Sequence, residues 1–195
     1  MPVTDIDVIN GALMKLGVAA ITTLADDANA ARIATDTYSM LLDAVLSDAP
    51  WDFATTRAEL TAHETSPDFG FDNAFDLPDG DPDAFCLRVR EIVNVNEYLW
   101  VVEQAQILTS HESPIQVIYT ARVVDEALYT PQFIEAFQSR LAAEWAEPLI
   151  ASSSVQEVMM KAYDAKIAAA KTIEAGQTGL HADTTNGSWV DSRVG

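Results

Sequence analysis

Apolar residues recur at helical spacing through the first fifty positions. Ile6, Ile9, Leu13 and Leu16 fall on one face of a short helix. Thr4 stands where an N-cap is needed, and Asp7, three residues on, completes a capping-box pattern. Gly17 supplies the stop. After a connector over 18–25, Ile33, Thr37, Leu41, Ala44 and Val45 carry the apolar face of a longer second helix. Asp26 and Asp27 sit where a helix N-terminus favours negative charge. Pro50 ends the run.

From residue 53 to about 121 the period changes. Segments 53–61, 87–95, 98–103, 105–109 and 115–121 are short and rich in β-branched or aromatic residues, and Ile115, Val117, Tyr119 and Ala121 alternate with their neighbours as a strand requires. Residues 64–84 are rich in Pro, Gly and Asp and read as a long loop, a length that usually carries a function or a partner contact. Helical spacing returns after Thr130-Pro131, a cap followed by proline at the first helical position. Phe133, Phe137, Leu141 and Trp145 share a face, and Pro148 is expected to end or kink that helix. Ser154 and Glu157 form a second capping-box pattern ahead of a last helix stopped by Gly176.

The fold expected is α+β, mainly α. Two N-terminal and two C-terminal helices (1–52 and 130–176) would pack as an antiparallel helical bundle, with a small β-rich subdomain inserted over 53–129 and an extended C-terminal tail over 177–195. Trp189 and Val190 are an apolar pair in that polar tail. They could fold back on the home core or dock on a neighbouring subunit.

Composition narrows the function classes. The chain has 195 residues, 49% of them hydrophobic, enough for a real core. Thirty acidic and 11 basic side chains give a net charge of -19, which repels nucleic acid phosphates rather than gripping them. The single cysteine, Cys86, allows no intrachain disulfide, and neither a secretory signal nor a membrane-spanning run is present, so a soluble protein made in a cytoplasm is expected.

Catalytic constellations are hard to find. His63, His111 and His181 have no metal-ligand spacing, and Cys86, between Phe85 and Leu87, reads as a packed thiol. The phosphate-loop, dinucleotide and nucleophile-elbow motifs are missing. The aspartates of 76–83 alternate somewhat as in a calcium loop, but Ala84 and Arg90 occupy the positions where an EF-hand starting at Asp79 needs glycine and a bidentate glutamate. Pairs such as Asp52 with Glu59, or Glu59 with Glu64, are expected by chance among 30 carboxylates. No catalytic, cofactor or metal residue is therefore assigned.

The ordered pieces do carry a resemblance. Residues 9–17 (INGALMKLG) followed by 21–24 (ITTL), then 30–32 (AAR), Tyr38 and 49–54 (APWDFA), are similar to the start of the tail tubular protein A family, the head-to-tail adaptors of short-tailed bacteriophages. Phe69-Gly70-Phe71, Ala74-Phe75, Leu77-Pro78 and 86–89 (CLRV) extend it, as do 133–148 and the alanine-rich stretch through Tyr163 to 175. The chain departs from the pattern at 79–84, which separate Leu77-Pro78 from Cys86-Leu87-Arg88. The resemblance implies a homo-oligomeric ring, usually a dodecamer, below the portal protein. Such a ring extends the channel through which genomic DNA passes without specific binding. It also offers a platform for the tail tube or nozzle protein, in a virion assembled in the host cytoplasm. Phe69, Phe71, Phe75, Arg88, Arg90, Trp189 and Val190 are the candidate partner contacts. Two other classes compete with this structural role: a carboxylate-dependent cell-wall glycan hydrolase, and an acidic module that mimics DNA.

Overall fold

The computed structural model describes residues 2–81, 84–93, 95 and 99–177. Four helices and two three-stranded antiparallel sheets follow in the order α1 (Asp5–Leu16), α2 (Asn29–Asp48), β1 (Thr55–Leu60), β2 (Asn73–Asp76), β3 (Cys86–Ile92), β4 (Trp100–Glu103), β5 (Gln106–Thr109), β6 (Ile115–Ala121), α3 (Pro131–Ile150) and α4 (Ser153–Gln177).

Local chemistry sets several boundaries as the pattern requires. Thr4 Oγ1 accepts the Asp7 amide at 3.2 Å while the Asp7 carboxylate accepts the Thr4 amide at 3.0 Å, a complete capping box. Gly17 closes α1 in the left-handed region (φ 69°). Thr130 Oγ1 caps the Phe133 amide at the head of α3.

Other boundaries move. Asp26 does not cap α2, whose N-cap is Ala28 with no side-chain bond. Its carboxylate instead accepts the Thr22 and Thr23 amides and hydroxyls and closes the connector on itself, which lowers its pKa, the Thr22 amide foremost. Asn10 pins the same connector from α1 through two 2.9 Å bonds to the Ile21 backbone. Helix α3 runs through Pro148 to Ile150 and turns at Ala151 (φ 49°). Pro148 has no N–H to give the carbonyl four residues back, and the helix ends two residues after that open rung. The α4 cap is Ser152, whose Oγ accepts the Val155 amide at 3.4 Å, rather than Ser154, and the helix continues past Gly176.

One sheet has the order β1-β6-β3 and the other β2-β5-β4. β2 lies inside the segment expected to be a loop. The sheets share a core of Phe75, Ile92, Ile107, Ile115 and Val117. Register shifts flank Val89 in β3, so Arg90 is the extra residue of a bulge between Val89, opposite Tyr119, and Glu91, opposite Ile118.

The expected antiparallel helical bundle is overturned. α1, α2 and α4 all pack on α3, but the helical core is not closed by helices alone. Trp51, Phe53, Ala54, Leu87, Val123 and Tyr129, from the β-rich part of the chain and its flanks, fill the remaining side. Phe133 of α3 meets Trp51, Phe53 and Tyr129 edge-on, with ring centroids 4.7–5.0 Å apart. The architecture is α+β, with β3 and the segments that flank the first sheet completing the helical core.

Candidate interaction surface around the β4–β5 hairpin

Residues 63–71 arch over the β4–β5 hairpin and leave an open cleft of about 620 Å3. Both ends of the arch are tied down. The His63 amide donates to Ala74 O at 2.7 Å, and Asn73 Nδ2 donates to His111 O at 2.8 Å. Gly70 adopts φ 88°, a conformation that side chains disfavour. The turn it makes throws Phe69 into solvent, 88% exposed, while Phe71 stays half-buried against the cleft.

The floor of the cleft is the hairpin tip. Two residues, Gln104 (φ 48°) and Ala105 (φ 63°), link β4 to β5 in the left-handed conformation that a two-residue turn of this twist demands. Neither is the glycine or asparagine that tolerates it well, so the tip is strained. The Leu77 amide holds it by donating to Ala105 O at 3.0 Å, and Gln106 Nε2 holds Asp76 at 2.7 Å.

β4 is an outer strand, and among the described residues its free side pairs with no further strand. Val101 and Val102 point to opposite faces, yet both are exposed, and Leu99 beside them is 52% exposed. Among the described residues of this edge, Glu103 is the one charge. Exposed apolar edge strands are templates for pairing with another chain.

The described contact residues separate into three groups. Phe69 and Phe71 meet at the cleft. Phe75 is fully buried between the sheets and is a core residue, unavailable to a partner. Arg88 and Arg90 come together elsewhere, at the C-terminal end of α2: Arg88 Nη1 donates to Ser47 O at 3.2 Å, and Arg90 donates to Ala49 O and, at 2.6 Å, to Thr120 Oγ1. Cationic side chains are favourable at that end of a helix. Trp189 and Val190 lie outside the described residues. Leu99, Val101, Val102 and the hairpin tip were missed. The two runs that build the hairpin were legible as the short β-rich segments 98–103 and 105–109, but not their place at the margin of a sheet.

Two of the candidate reactive side chains are engaged or damped. His63 Nδ1 accepts the Thr65 amide at 3.2 Å. Cys86 is half-buried, and desolvation pushes its thiol up to about 11. Among the described residues no group of three or more His, Cys, Asp or Glu side chains is placed to hold a metal ion, and no helix is long and apolar enough to cross a membrane. Compared with known proteins, the chain matches no family model and no curated protein.

Proposed function

We propose that this chain is a structural subunit of a bacteriophage head-to-tail adaptor. Copies of it close into a ring, a dodecamer by the resemblance of residues 6–175, that docks beneath a portal, continues the DNA channel and seats the tail tube or nozzle. Its place is then the neck of the virion, and it performs no catalysis.

One observation carries this reading beyond the resemblance. The second sheet ends in an unpaired, apolar edge strand beside the projecting Phe69. A lone subunit leaves that surface wet, whereas a neighbour that covers it removes apolar area from water and satisfies the strand's free backbone groups. A head-to-tail contact of this kind generates a ring when the rotation closes.

Native mass spectrometry of the full chain, alone and with portal, tests the proposal. A high-order cyclic complex is expected, and it should be weakened by Val102→Lys at unchanged thermal stability. A chain that stays monomeric and never binds portal refutes it.

A further inference from the structure

Arg88, Arg90 and Lys171 line one pocket of about 350 Å3 together with Asp48, Pro50 and Val89. Three of the chain's 11 basic residues therefore meet at a single spot on a molecule of net charge -19. The pocket is built from three elements: the end of α2, strand β3 and the last turns of α4. The backbone carbonyls of Ser47 and Ala49 orient the two guanidiniums. Arg88 gives one N–H to Ser47 O and is otherwise exposed, which leaves most of its five donors facing out. Lys171 is exposed beside it. Among the described residues the one carboxylate lining the pocket, Asp48, accepts the Tyr163 hydroxyl at 2.5 Å, so part of its acceptor capacity is already spent inside the chain.

We propose that this pocket seats an acidic segment of a second copy of this chain. The inference rests on the ring reading above and names how that ring overcomes its own charge. Each copy carries 30 carboxylates against 11 basic side chains, and copies of net charge -19 repel one another. At physiological salt, charges more than about 8 Å apart are largely screened. The sign of the charges at the contact then decides whether two copies attract. A local surplus of guanidinium and ammonium donors turns the neighbour's carboxylates from a repulsive into a paired group, with the forked geometry of arginine suited to them. Nucleic acid is the poorer occupant, because a long polyanion meets the acidic surroundings as well as the pocket.

Sedimentation velocity of the full chain tests this at about 50 mM and about 500 mM salt. Lys171→Glu reverses an exposed charge that holds no core contact, so its thermal melt should match wild type. At low salt it should weaken self-association roughly three- to tenfold, and Lys171→Arg should restore it. The difference should shrink at high salt. If wild type assembles and Lys171→Glu assembles equally well at low salt, the pocket inference falls and the adaptor reading stands. If the variant is weaker by the same factor at both salts, the contact is not ionic and the inference also falls. A wild-type chain that stays monomeric at every concentration, with and without portal, overturns both.

Discussion

Trp145 of α3 donates its indole N–H to Thr37 Oγ1 of α2 across 2.9 Å, and the Thr37 hydroxyl in turn donates to Ile33 O at 2.6 Å. The indole is 1% exposed, so Thr37 is the acceptor that makes its burial tolerable. Thr37→Val keeps the shape and removes the acceptor. It should cost about 1–3 kcal/mol in urea unfolding, while Thr37→Ser should cost well under half of that. Equal losses in the two variants would show that the hydrogen bond is not what matters.

The hairpin tip offers the reverse experiment. Gln104 and Ala105 hold left-handed backbones without the residues suited to them. The double substitution Gln104→Asn with Ala105→Gly should raise stability by roughly 1–2 kcal/mol, visible as a higher Tm in calorimetry. A lower Tm would mean that the side chains at the tip contribute more than the backbone strain removes.

Arg122 joins the sheet to α2. Its Nε meets Asp43 Oδ1 at 2.7 Å, its Nη2 donates to Ser39 Oγ at 2.6 Å, and the guanidinium lies 5.8 Å from the Phe85 ring centre. The arginine is only 12% exposed, so screening by solvent is incomplete. Arg122→Ala should destabilise by about 2–3 kcal/mol, more than Arg122→Lys, which keeps the charge and loses the fork. Chemical denaturation of the two variants side by side decides this.

Cys86 should be a slow nucleophile. Burial raises its thiol from an ordinary 9.0 to about 11, and a raised folded value favours the protonated form. Its contribution to stability is whole below pH 9 and is lost as pH rises through 11. At pH 8 the native chain should carry about a hundredfold less thiolate than a free cysteine, and reaction with a disulfide reagent should be slower to match. Native and urea-unfolded rates that coincide would contradict this.

The contacts readable from sequence are those whose partners lie within one helical turn. Thr4 with Asp7, Gly17 at the end of α1 and Thr130 ahead of Pro131 needed nothing from the rest of the chain. What escaped depends on distant partners. β2 has only Ala74 and Phe75 as apolar residues and becomes a strand because β5, thirty-odd positions later, pairs with it. Asp26 had two nearby uses, and the threonines won over the helix end. The bundle expectation failed for the same reason: periodicity shows that a helix has an apolar face, not that Phe53, Leu87 and Tyr129 will cover part of it. At the candidate surface, Phe69 was legible as an aromatic in a loop, whereas the exposure of Val101 and Val102 follows only from the position of β4 at the margin of its sheet.

The central place of α3 bears on how the molecule comes into being. A ribosome adds about 5–20 residues per second, and α3 begins at Pro131. α1 and α2 thus emerge many seconds before the helix against which Val8, Leu13, Leu42 and Val45 are sheltered exists at all. During synthesis those faces are bare. A nascent chain stalled ahead of residue 131 should therefore be cut by protease where the finished molecule resists.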